Sequence, residues 1–465
     1  MYFKKSYLNP TRNLQLLEKR KELLSWILIG IYVLLLTEGI LRKWIFPGYG
    51  RALFFIRDPF VIWAYWLGIR LNLWSRPHPF YLAGLSLGVI GLILALYESF
   101  FGEISPMIIF YGLRNYFLYI PLPFLMERVL SKEQVDKVAK WTLLFSIPVA
   151  PLCFLQSISP GDSPINAGFA QDPELAYQNL GVYGEISRPH GTFTQAGGQA
   201  LFIASCLSFF IYLLFKNKNQ KFLQGYLTWI VGCAVLVNIL VSGSRTAFFM
   251  CFIVLIGSLI AGLKSGLNRQ SFNFIITLII MIIVGSFLSL TIFSNVIEAM
   301  VERWTGAAEY EGGFLMLERI AGDLVRFFDV LDKVPLLGFG LGTAGNAFTI
   351  LQGEQSLYVE DDWSRHIYEL GPLFGLIFLI YRLSLVIYLG LRCWKATALL
   401  KNPLPLILYF FVSPILFNGQ ITGQGTINGY GWIFTGFCLV ASRIDSSSFS
   451  SRRTPNVLFR TKFCS

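Results

Sequence analysis

Apolar residues fall along this chain in long unbroken blocks, not in the alternation of a half-buried strand. The blocks occupy 23–41, 52–69, 80–98, 106–126, 141–158, 196–215, 224–241, 246–263, 273–293, 370–391, 403–418 and 427–442. A helix needs roughly 20 residues to cross the hydrocarbon, and in lipid only helices or closed barrels satisfy their own backbone. The pattern predicts an all-α polytopic membrane protein with about 12 transmembrane helices. Its parts are a basic N-terminal segment 1–22, nine spans over 23–293 with a loop at 159–195, a large loop 294–369 before the tenth span, three spans over 370–442, and a tail 443–465.

Composition supports that class. Hydrophobic residues make up 54% of the 465, charged residues 14%, and mean hydropathy is +0.58, against about 25% charged in an average soluble domain. The net charge of +11 would suit nucleic acid, but its placement argues otherwise. With the N-terminus inside, the segments on that side hold 25 Lys and Arg and the opposite segments 10. That asymmetry places both termini in the cytoplasm and the large loop outside. Of the 7 cysteines none falls in an exported loop, and the 3 histidines are scattered, so neither a disulfide framework nor a zinc motif is expected.

Against this background the polar interruptions carry the candidate chemistry. Arg57 and Asp58 stand inside an apolar run and are expected to be ion-paired, with lipid-headgroup binding as the sharper alternative. Arg114 and Asn115 lie in the fourth span, ahead of Pro121 and Pro123. Intramembrane arginine suits function, and equally a kinked helix with an internal salt bridge. Arg188 closes the exported loop in the order Arg-Pro-His-Gly-Thr-Phe, where it can meet a lipid phosphate or snorkel. Ser242-Gly243-Ser244-Arg245 forms the tight turn between the seventh and eighth spans; its backbone amides and guanidinium suit phosphate oxygens. Residues 315–333 form an amphipathic helix suited to lie on the membrane or to cover a cavity, with Arg319 on a polar face. Gly338, Gly340, Gly342 and Gly345 look like a nucleotide loop, but no βαβ unit surrounds them and the predicted side of the membrane holds no nucleotide pool. A tight turn that approaches a glycan or diphosphate closely fits better.

The order Arg188…Gly191-Thr192-Phe193, Ser242-Gly243-Ser244-Arg245, Gly338-Phe339-Gly340-Leu341-Gly342, Glu369-Leu370-Gly371 resembles the O-antigen ligase and polymerase family of bacterial envelope enzymes, over roughly 185–380. The resemblance implies a GT-C-like glycosyltransferase of the inner membrane, inverting and independent of metal or other cofactor, with its site facing the periplasm or exterior. Its donor would be an undecaprenyl-diphosphate-linked glycan and its acceptor a glycan or lipid, with polysaccharide-export or chain-length proteins as further partners. Arg188 and Arg245 match the family's diphosphate-binding arginines by motif position, and Arg319 resembles the arginine opening the loop helix; Arg114 joins them as an intramembrane candidate. Family ligases carry a histidine about nine residues before the Glu of the E-x-G segment, where this chain has Glu360. That shifts the reading from ligase toward polymerase and leaves Glu360, beside Asp361 and Asp362, or else His366, as general base. A transporter of a small anion or lipid-linked sugar is the alternative, although transporters commonly show two related halves, and none are evident.

Overall fold

The computed structural model describes residues 10–75, 77–102, 104–160, 163–166, 188–216, 221, 223, 225–266, 316–345 and 361–444, with isolated positions between 280 and 348. Among them every regular element is helical: α1 (Pro10–Ile40), α2 (Gly50–Leu53), α3 (Asp58–Arg70), α4 (Pro79–Phe101), α5 (Pro106–Leu113), α6 (Leu122–Val129), α7 (Lys132–Ile158), α8 (Ala196–Phe215), α9 (Tyr226–Val241), α10 (Arg245–Ser265), α11 (Met316–Leu331), α12 (Asp362–Leu400), α13 (Leu404–Asn418) and α14 (Gly425–Ala441). Seven helical stretches among the described residues are long and apolar enough to span a membrane, and two shorter apolar helices, α9 and α13, accompany them. The expected ninth span, 273–293, lies largely outside the described residues.

Two single π-turns interrupt the helices, Leu41–Ile45 after α1 and Arg114–Leu118 after α5. Such turns cluster at functional sites, and these two carry Arg42, Lys43, Arg114, Asn115 and Tyr116, all buried. The chain then turns at Tyr119–Pro121, and α6 starts with Pro123 in its first turn, where a missing N–H leaves no bond unmade.

At the centre stands α8, apolar on all sides and buried throughout its length. Around it pack α7, α9, α10, α13 and α14. Lipid tails are as apolar as leucine, so close packing rather than water exclusion holds such helices together. Small residues permit it: Gly436 lies against Met126 and Gly257 against Phe410, each too close for a Cβ. The serines of α8 bond back along their own helix, Ser205 to the Phe202 carbonyl at 2.7 Å and Ser208 to Ala204 at 2.8 Å, so neither hydroxyl is orphaned.

Among the described residues, the contacts that charged and histidine side chains make between elements gather at two ends of the bundle. At one end Lys43 meets Gly191 and Phe193, Arg57 meets Gly425, Arg382 meets Gly419 and Glu98 meets Leu341. At the other, Arg392 meets Glu127, Lys216 meets Asp136, Arg443 meets the Glu127 carbonyl and His78 meets Tyr388. Every stretch singled out from the sequence for chemistry, where described, belongs to the first end.

Candidate functional site

The Arg-Pro-His-Gly-Thr-Phe stretch is a loop sunk into the bundle, buried from Pro189 to Thr194. A buried loop needs partners for its backbone, and the surrounding helices supply them. Lys43 Nζ donates to the carbonyls of Gly191 at 2.6 Å and Phe193 at 2.9 Å. The Gln156 side chain brackets the Gly191 peptide, accepting from its N–H at 2.8 Å and donating to its carbonyl at 3.3 Å. Thr192 Oγ1 donates to the Leu36 carbonyl at 3.0 Å, and Gly39 lets the Thr192 carbonyl lie against α1. Burial, with Lys43 alongside, holds His190 well below the usual imidazole range, so it is neutral at pH 7.

Arg188 stands at the mouth of this loop, half-buried, and its Nη2 donates to Ser244 Oγ at 2.8 Å. Ser244 is the N-cap of α10, accepting from the Ala247 N–H at 3.4 Å, and Arg245 is the first helical residue. Gly243 takes φ +54 beside open space. Two motifs far apart in sequence thus meet on one turn, with the Arg188 guanidinium at the N-terminus of the helix whose first residue is Arg245. That arrangement suits an anion, because helix amides and guanidinium forks both present hydrogens to oxygens.

A second cluster is built on α12. Asp361 caps it by accepting from the Ser364 N–H at 2.8 Å, so the helix begins at Asp362, ahead of the apolar run that starts at 370. Gly371 then leaves helical geometry, at φ 79 and ψ 166, and Pro372 follows. The resulting offset sets Gly375 against the carbonyl of His366, where a Cβ would lie 2.5 Å away. Across this kink Arg382 Nη1 donates to Asp362 Oδ2 and to His366 Nε2, both at 2.6 Å. Its Nε and Nη2 reach the carbonyls of Leu416 and Gly419, each at 3.0 Å, and Thr422 donates to Asp362 Oδ1 at 2.6 Å. A guanidinium only donates, so His366 Nε2 accepts and the ring proton sits on Nδ1, facing Tyr116 Oη at 3.2 Å. Tyr116 in turn bonds Glu369. His366 is 0% exposed, with both nitrogens engaged, so it presents no edge to a substrate in this arrangement.

The glycine cluster is not open to a ligand. Phe339 N–H donates to the Tyr368 carbonyl at 2.8 Å and Gly340 N–H to the Glu369 carbonyl at 3.3 Å. Leu341 N–H meets Glu98 Oε2 and Ala344 N–H meets Glu369 Oε1, each at 3.0 Å. The close backbone approach expected of these glycines is real, but its partner is the protein: a Cβ on Gly338 would strike the Glu369 carbonyl, and one on Gly342 would lie 2.5 Å from the Ile108 carbonyl.

Of the residues expected from sequence, Arg188 reaches the turn that carries Arg245 through its bond to Ser244. Arg114 does not join them: it grips Asp58 with Nε at 2.9 Å and Nη2 at 3.1 Å, and Asn115 with Nη1 at 2.8 Å. Arg57 likewise pairs with Glu38 at 2.9 Å. Arg319 lies on α11, with its side chain outside the described residues, as is all of Glu360. Sequence reasoning missed Glu98, Tyr116 and Arg382 as members of the polar end. Arg382 in mid-span and Glu98 closing an apolar block were visible signals, since an intramembrane charge demands a partner. Among the described residues no group of three His, Cys, Asp or Glu side chains could hold a metal ion. Comparison with protein-family models, curated proteins and solved structures gives no match.

Proposed function

We propose that this chain is an inner-membrane glycosyltransferase acting on an undecaprenyl-diphosphate-linked oligosaccharide, extending an O-antigen or exopolysaccharide chain or ligating it to an acceptor. The observation that carries this reading is the 2.8 Å bond from Arg188 to Ser244, which sets Arg188 beside Arg245 at the N-terminus of α10. In the reaction an acceptor hydroxyl oxygen bonds to the anomeric carbon from the face opposite the carrier. The bond from that carbon to the diphosphate oxygen breaks, and the departing lipid diphosphate takes the electron pair. Arg188 and Arg245 stabilise the charge that develops there, the kind of electrostatic assistance worth several kcal/mol in a site shielded from water. The hydroxyl proton passes to a base, assigned to the Glu360 carboxylate; with both nitrogens of His366 engaged, the second candidate is less suited to collect it. The positive-inside asymmetry supports a periplasmic or exterior site.

The test is purified protein in liposomes with a lipid-diphosphate-linked oligosaccharide. Chain growth, or release of undecaprenyl diphosphate, is expected; glycan flux into the lumen without release would establish the transporter alternative instead. Arg245→Ala is expected to insert normally and lower product formation by a factor of about 100 or more, the usual scale for losing a charge-stabilising group. Full activity in that variant would remove the clamp.

A further inference from the structure

At Ser244 two donors converge on one oxygen. The Arg188 guanidinium gives Nη2–H to the hydroxyl at 2.8 Å, and the Ala247 amide gives its N–H at 3.4 Å. A guanidinium and a backbone N–H can only donate. Both lone pairs of Ser244 Oγ are therefore taken, and its own hydrogen points along the remaining tetrahedral direction, away from both donors. Among the described residues that hydrogen meets no acceptor within bonding distance. Neighbouring serines behave otherwise: Ser242 donates to the Ile239 carbonyl at 2.9 Å and Ser258 to Val254 at 2.6 Å. Ser244 is only 2% exposed, and a buried donor without an acceptor costs free energy.

The surroundings define the acceptor that fits. Gly243, the residue before, borders open space. The Thr246 N–H, in the first turn of α10, has no partner among the described residues, as helix geometry leads one to expect of a first-turn amide. With the Arg188 guanidinium on the same hydroxyl, the groups on offer are all donors, and one is cationic. Their complement is an oxyanion with several oxygens. We propose that Ser244 contacts the substrate itself, donating its hydroxyl hydrogen to an oxygen of the carrier diphosphate. Its oxygen fixes Arg188 while its hydrogen meets the phosphate, so one side chain serves both. This role rests on the diphosphate reading of the turn.

The probe is farnesyl diphosphate, a short isoprenyl diphosphate with no sugar to transfer, titrated by calorimetry into the purified full-length protein in detergent. Wild-type protein is expected to bind it, and Ser244→Gly to bind about tenfold to a hundredfold more weakly, the scale of a hydrogen bond to a charged group. Glycine serves nearly as well as serine at an N-cap, so the thermal midpoint should change little. Ser244→Thr keeps both cap and hydroxyl and is expected to bind as wild type does. The deciding comparison is made in Arg188→Met, where the serine has no guanidinium to hold. There Ser244→Gly should weaken binding further, and a double variant no weaker than Arg188→Met alone overturns the assignment, because Ser244 then acts only through Arg188. Absence of binding by the wild-type protein removes the diphosphate reading and Ser244's part with it, whereas wild-type binding that Ser244→Gly leaves unchanged removes only the latter. Ser244→Ala supplies the same comparisons where the glycine variant fails to insert.

Discussion

Arg382 is the hub on which the polar end of α12 turns, since its five N–H groups reach Asp362, His366 and the end of α13. A buried pair is weak evidence for stability as such, but removing one member leaves the other charge uncompensated, at about 3–5 kcal/mol. Arg382→Met is therefore expected to lower the thermal unfolding midpoint in detergent sharply. The double variant Arg382→Met/Asp362→Leu should recover most of that loss, because no lone carboxylate remains. A double variant as unstable as the sum of the singles would show that packing, not charge, holds the junction. At this scale the sequence was partly legible. Arg57, Asp58 and Arg114 announced that they needed partners, and Arg57 and Asp58 were expected to be paired. Which carboxylate goes with which arginine depended on how α1, α3 and α5 are juxtaposed, which no local pattern encodes.

Among elements, α12 and the glycine loop form one construction. The loop folds onto the kink, and Gly338 and Gly371 face each other so closely that neither tolerates a Cβ. Gly371 holds φ +79, a backbone region that strains other residues by about 1–3 kcal/mol, and any side chain there must also displace the Leu336 carbonyl. Gly243 also has positive φ but borders open space, so alanine there meets only the left-handed penalty of about 1–2 kcal/mol. Gly371→Ala should consequently depress the unfolding midpoint clearly more than Gly243→Ala, as read by thermal denaturation of the two purified variants. Equal effects would mean that the contact between loop and kink contributes nothing. The α12 start was hidden in the sequence for a definite reason. Residues 362–369 are polar and charged, and look like loop, yet their partners come from the first π-proximal turns of the fourth apolar block, from α13 and from beyond the kink.

For the whole molecule, the two polar ends and the Lys and Arg asymmetry together predict orientation. A cysteine at Gly243 is expected to react with a membrane-impermeant maleimide in intact cells, and one at Ser265, at the far end of α10, only after permeabilisation. The reverse pattern would invert the chain and put the Arg188 turn in the cytoplasm, away from any exported lipid-linked glycan. What the sequence by itself determined was the material of the protein: helices, the approximate limits of several of them, their apolar character and span-like length, and the stretches where polarity interrupts hydrocarbon. Those follow from hydropathy and turn chemistry, which are properties of neighbours in the chain; the limits of α8, for instance, coincide with the apolar block 196–215. Only the tertiary structure decided that Arg188 belongs with Ser244, that Arg114 belongs with Asp58, that α8 is central, and that Glu98 and Glu369 fill the glycine loop. The physical reason is that side chains on apolar helices meet whichever helix packs beside them. In lipid that choice is made by close fit and by the pairing of buried polar groups, between residues that lie up to hundreds of positions apart.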